Sequence, residues 1–161
     1  MHVFKEEQKF NQWWVYAIVF FTGAGSTISI YNETDGFTNF KEAGPILFGL
    51  FLIGIMVYLF SLRLKTRISK VGIEANFRPL PFFKREYRWN EIASCHVRKY
   101  SAITEYGGWG IRGLFPTKAY TVRGSYGIQI VTKDNVHFLI GTQKPEKAKA
   151  TIKRYTQKQE N

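Results

Sequence analysis

The sequence has little sulfur, little histidine and little acid. A single cysteine, Cys95, among 161 residues excludes an intramolecular disulfide framework and a cysteine-rich zinc site. The three histidines are His2, His96 and His137, and no HExxH, CxxC or His/Asp cluster at ligand spacing accompanies them. His96 follows Cys95 directly, and neighbouring residues of a strand point to opposite faces. No metal and no cofactor is therefore expected. GxSxG and P-loop patterns are also missing, and Glu91 and Glu105 are isolated carboxylates rather than a general acid/base pair. These absences predict a protein that is not an enzyme. Acidic residues number 12 against 23 basic ones, a formal net charge of +11. Aromatics make up 17% of the chain, which with ordinary charge argues against disorder. The length suits one domain and is short for a two-domain enzyme.

Charge is missing altogether from two stretches. Residues 13–31 and 43–62 carry none, and a helix of that length covers about 30 Å, the thickness of a bilayer core. The pattern predicts a transmembrane hairpin with helices at 13–31 and 43–62, forming a first domain over 1–64. Gly23, Ala24, Gly25 and Ser26 supply the small side chains that let helices approach closely, which also suggests self-association. Trp13, Trp14 and Tyr31 fall near the ends of the first stretch, where amphipathic rings favour headgroups. A cleaved signal peptide is disfavoured because Lys5 and Lys9 are offset by Glu6 and Glu7 before Trp13. The connection holds Glu33, Asp35 and Glu42 against Lys41, whereas Arg63, Lys65, Arg67 and Lys70 follow the second stretch. The positive-inside rule then predicts a multi-pass inner-membrane protein with both termini cytoplasmic.

The remainder, 65–161, reads as a basic β domain. Residues 63–161 hold 20 of the 23 basic residues and 7 of the 12 acidic ones. Alternation and turn signals predict strands at 64–69, 73–77, 82–89, 95–100, 118–123, 126–132 and 136–140, with Asp134-Asn135 as a hairpin turn. A long glycine-rich loop covers 101–117. After Gly141 the period changes: Pro145 suits a helix first turn, and Ala148, Ile152 and Tyr155 share one helix face. The opposite face carries Lys147, Lys149, Lys153, Arg154 and Lys158. About seven strands and one amphipathic helix predict a small barrel or sandwich.

The segments Ile68-Ser69-Lys70-Val71-Gly72-Ile73-Glu74, Arg88-Trp89-Asn90-Glu91-Ile92, Tyr106-Gly107-Gly108-Trp109-Gly110-Ile111-Arg112-Gly113 and Ile140-Gly141-Thr142-Gln143-Lys144-Pro145 carry a resemblance. Strands closed by one helix, behind a membrane hairpin, resemble the membrane-anchored bacterial pleckstrin-homology-like (PH-like) domains. The resemblance implies an α+β membrane protein with a PH-like β domain. It does not carry over phosphoinositide specificity, because the basic phosphate-binding loop pattern is not evident. An OB-type barrel behind a hairpin is the alternative architecture, with five strands rather than seven.

Three segments are candidates for binding. Trp109 and Arg112, hot-spot residue types, sit among glycines that free the backbone. The loop residues Tyr106, Gly108, Trp109, Gly110 and Arg112 thus form a hypothetical binding site for a lipid headgroup or a partner, or else Trp109 packs back on the barrel. Arg63, Lys65, Arg67 and Lys70 are candidates to face anionic lipid. Phe82-Phe83-Lys84-Arg85, after Pro79 and Pro81, either reaches a lipid interface or starts a core strand. The expected function is a non-enzymatic module that binds an anionic lipid surface, a membrane protein partner, or both. An accessory subunit acting through its hairpin is the alternative. Aromatics interleaved with basic residues suit nucleic acid, but no RNP, KH or helix-turn-helix pattern supports that partner.

Overall fold

The computed structural model describes residues 3–10, 17, 20–23, 25, 43–113 and 116–157. The chain forms two compact units, Met1–Lys9 with Leu62–Asn161, and Phe10–Ser61. The first residues thus fold with the β half, so the second unit is an insertion between the first two strands rather than a preceding domain.

Nine strands form two sheets among the described residues. The first sheet is an antiparallel meander of β1 (Phe4–Lys9), β2 (Arg63–Ile68), β3 (Gly72–Arg78) and β4 (Lys84–Arg88), in that order. The second holds β5 (Ile92–Lys99), β6 (Gly110–Arg112), β7 (Thr117–Thr121), β8 (Tyr126–Thr132) and β9 (His137–Gly141), ordered β5-β8-β9-β7-β6. Only the β7–β9 pair is parallel. Nine strands in two sheets replace the seven expected, and they do not fit a five-stranded OB barrel.

The core follows from alternation. Leu64 and Ile68 on β2, Ile73 and Phe77 on β3, and Ile128 and Ile130 on β8 are fully buried, as period-2 strands with one covered face require. Tyr120 and Phe138 stack edge to face at 4.8 Å, and Phe77 meets Tyr120 at 5.4 Å. Beside them runs the helix Pro145–Gln157, which buries Ala148 and Ile152. Trp89 is buried under that helix, its ring 5.9 Å from Tyr155 and its Nε1–H donating to Ser69 O at 2.8 Å.

β1 is held differently. Its inward residues are Phe4, Glu6 and Gln8. The Glu6 carboxylate accepts from Thr142 Oγ1 at 2.6 Å and from the Gln143 N–H at 2.8 Å. Gln8 Nε2 donates to Gly141 O at 2.7 Å. Buried polar groups persist where each finds a partner, and here the partners are the residues that follow β9.

The inserted unit contains the helix α1 (Ala43–Ser61). Leu47, Leu50, Phe51, Ile53, Ile55, Val57 and Tyr58 are exposed around it, and Ser61 Oγ donates to Tyr58 O at its end. Among the described residues no helix is long and apolar enough to cross a membrane. This corrects the expected transmembrane hairpin, and with it the multi-pass inner-membrane placement. An uncharged sequence measures composition, whereas a span needs about 20 consecutive apolar helical residues. Most of the first stretch, 13–31, lies outside the described residues.

Candidate functional site

The glycine-rich loop is more ordered than its composition suggests. It opens with a short helix, α2 (Ala102–Tyr106), whose first turn is capped by Ser101 and Glu105: the Ser101 N–H donates to Glu105 Oε1 at 2.8 Å. Gly107 ends the helix in the left-handed region at φ 69°, and Gly108 N–H donates to Ala102 O, the arrangement that glycine favours after a helix. Gly108 and Gly110 also lie at positive φ, and Gly110 N–H reaches Thr121 Oγ1 as β6 begins.

Trp109 is partly buried. With Tyr106 it packs on a small cluster of Tyr100, Ala102, Ala119 and Leu139, which sits on the face of the second sheet turned away from the main core. Its Nε1–H donates to Gly124 O at 3.4 Å. Arg112 is exposed and its Nε–H donates to Trp109 O at 3.1 Å. The structure therefore brings Tyr106, Trp109 and Arg112 together, with the two aromatics engaged in packing and Arg112 tying the loop to itself. Trp109→Ala is expected to cost about 2 kcal/mol, less than a fully buried tryptophan, read from the urea midpoint of the β unit.

Beside this cluster lies a polar cleft of about 290 Å³ lined by Arg98, Glu105, Tyr106, Thr117, Gln129 and His137. Arg98 occupies it: one NH2 donates to Glu105 Oε2 at 2.7 Å and to Tyr106 OH at 3.3 Å, and Nε donates to Gln129 Oε1 at 3.1 Å. The Arg98 bond holds the Glu105 carboxyl below the usual carboxylate range, and the Glu105 bond in turn raises the Arg98 guanidinium. With its charge matched inside the cleft, Arg98 is a brace between β5 and α2. His137 bonds Asn135 Oδ1 through Nε2 at 3.1 Å. Among the described residues no group of three His, Cys, Asp or Glu is placed to hold a metal. Burial pushes the Cys95 thiol up to about 12, which removes the thiolate that reacts. A disulfide reagent at pH 8 is therefore expected to leave Cys95 unmodified in the folded protein and to titrate one thiol in denaturant.

The basic residues that follow the insertion are sorted by the strand register. Arg63, Lys65 and Arg67 alternate with the buried Leu64, Thr66 and Ile68, so all three share the outer face of the first sheet. Lys70 lies in the turn at the far end, between β2 and β3. At the near end the register sets Lys9 opposite Arg63 and Arg63 opposite Arg78, which makes one row of three exposed cations across three strands. Glu7 answers part of this charge, at 3.0 Å from Arg63 and 3.2 Å from Lys65; those bonds lower its pKa. Among the described residues Lys9 and Arg78 have no ion-pair partner.

The β3–β4 connection leaves from the same end, directly after Arg78. Its short 3-10 turn, Pro81–Phe83, splits two neighbouring aromatics. Phe83 turns in, its ring 6.5 Å from Tyr120. Phe82 turns out and is 86% exposed, more than any other large apolar side chain described in the β unit. Of the two neighbours for which the sequence allows an interface or a core strand, the structure exposes Phe82 and packs Phe83 against Tyr120. What the sequence missed is the row. Lys9 and Arg78 join Arg63 only through pairings between segments more than 50 residues apart and across a turn.

No family model, curated protein or solved structure matches the chain.

Proposed function

We propose that the chain is a non-enzymatic binding module whose β unit docks on an anionic lipid surface from one side, through the end of its first sheet. One observation carries the reading: an almost fully exposed Phe82 projects beside a row of cations, Lys9, Arg63 and Arg78. Each half of that pairing has a physical use. An exposed aromatic gains about 2 kcal/mol when its surface leaves water, and a cation near an anionic leaflet contributes about 1 kcal/mol. Lys65 and Arg67 extend the charge along the same outer face. Glu74 and Glu86, which bond Lys84, stand farther along the strands from the row of Lys9, Arg63 and Arg78. A four-stranded meander, a second sheet and a helix after the last strand support the PH-like resemblance as part of this proposal. The Trp109–Arg112 loop takes no part in it, because its ring is engaged in packing.

Co-sedimentation of the 161-residue chain with phospholipid vesicles tests the reading. Vesicles containing phosphatidylserine are expected to retain the chain in physiological salt and purely zwitterionic vesicles to retain much less. Phe82→Ser, at an exposed position where folding is unaffected, is expected to weaken retention. Equal retention of this variant and the parent would remove the basis of the proposal.

A further inference from the structure

A second cationic surface lies elsewhere on the β unit and shares no residue with the docking end. Between the start of β1 and the helix α3 (Pro145–Gln157) runs a groove of about 370 Å³. Lys5 lines one side; Lys144, Lys147 and Arg154 line the other, with Thr151 between them. All four cations are exposed, and none is in an ion pair among the described residues. Among the described residues no carboxylate lines the groove; Glu146, in the first turn of α3, is not part of its wall. Like charges gathered without a counter-charge repel one another and raise the local concentration of anions.

The walls are held in place by the buried contacts of β1. Glu6, next to Lys5, accepts from Thr142 Oγ1 and the Gln143 N–H, and Thr142 Oγ1 accepts in turn from the Lys144 N–H at 3.1 Å. Lys5 and Lys144 are therefore set on either side of the groove by a fixed backbone rather than by chance meeting of two flexible chains. Lys147 and Arg154 are seven residues apart on α3, about 10 Å along its axis. That spread exceeds one phosphate group and suits several in a row.

We propose that this groove binds a ligand carrying two or more linked phosphate groups, with Lys5, Lys144, Lys147 and Arg154 as the contacting side chains. Its volume is within the range of small-molecule sites, about 300–1,000 Å³. Arg154 supplies a fork for two phosphate oxygens and the lysines act as point charges.

Titration calorimetry on the 161-residue chain tests this, with sodium tripolyphosphate as probe and orthophosphate and sulfate at matched ionic strength as controls. Tripolyphosphate is expected to bind saturably at one site and at least about tenfold more tightly than either control. The double variant Lys147→Gln/Arg154→Gln, both positions exposed, is expected to lose about tenfold in affinity or more. Arg63→Gln/Arg78→Gln, at the docking end, is expected to leave it unchanged. A parallel arm uses vesicles containing a polyphosphoinositide. A loss confined to that arm in the α3 double variant supports the same phosphate chemistry carried by a lipid headgroup. Equal binding of the α3 double variant and the parent in both arms overturns the proposal, whatever the docking variants do.

Discussion

Replacing Glu6 by alanine is expected to destabilise the β unit by about 4 kcal/mol. The Glu6 carboxylate is 6% exposed and accepts two hydrogen bonds, from Thr142 Oγ1 and the Gln143 N–H. Bonds to a charged group contribute roughly 1.5–3 kcal/mol each, and donors left behind without a partner add their own desolvation. The loss is larger than at a surface position, where changes stay within about 0.5 kcal/mol. Glu6→Gln keeps the shape and one good acceptor, and about half the loss is expected. Urea unfolding of the two variants beside the parent reads both values. A Glu6→Ala midpoint close to that of the parent would mean that strand pairing with β2 alone holds β1.

The second large effect is on lipid docking. Lys9→Gln, Arg63→Gln and Arg78→Gln together are expected to lower partition onto anionic vesicles about a hundredfold. Three cations at about 1 kcal/mol each give about 3 kcal/mol, and Arg63 contributes the least because Glu7 already answers it at 3.0 Å. Phe82→Ser is expected to lower partition about thirtyfold on its own, from about 2 kcal/mol of apolar burial. The two losses differ in character. Salt screens the charge contribution over about 8 Å at physiological ionic strength, whereas the Phe82 contribution persists. Raising salt should therefore shrink the gap between the triple variant and the parent and leave the Phe82→Ser gap in place.

Much of the β unit was legible because its strands obey alternation. Leu64, Thr66 and Ile68 go in while Arg63, Lys65 and Arg67 go out, and the run after Pro145 changes period as a helix does. β1 was not legible. Its inward positions are Phe4, Glu6 and Gln8, so the pattern places charge where a core strand shows apolar residues, and only the partners after β9 explain it. β6 was hidden among glycines, although Ser101, Glu105 and Gly107 mark the start and end of α2 in a readable way. The parallel pairing of β7 with β9 needs a crossover that no local signal announces.

The apolar stretches misled for a related reason. Composition over 43–62 fits a span, and the structure shows the helix Ala43–Ser61 without one that is long and apolar enough among the described residues. The site divides in the same way. The cations of β2 could be read as a cluster, but Lys9 and Arg78 enter through register, and the groove of Lys5, Lys144 and Arg154 assembles residues from opposite ends of the sequence.

The orientation of docking is the central claim, and depth measured at single positions tests it most directly. Phe82→Cys can be labelled with an environment-sensitive fluorophore, since the Cys95 thiol, its pKa raised to about 12, is expected not to compete. Val71→Cys, an exposed position in the turn at the opposite end of the first sheet, serves as the counterpart. With anionic vesicles the probe at position 82 is expected to shift to the blue and to be shielded from aqueous quencher, while the probe at 71 stays as in solution. Equal shifts at both positions, or a shift at 71 alone, would contradict docking through the Phe82 end.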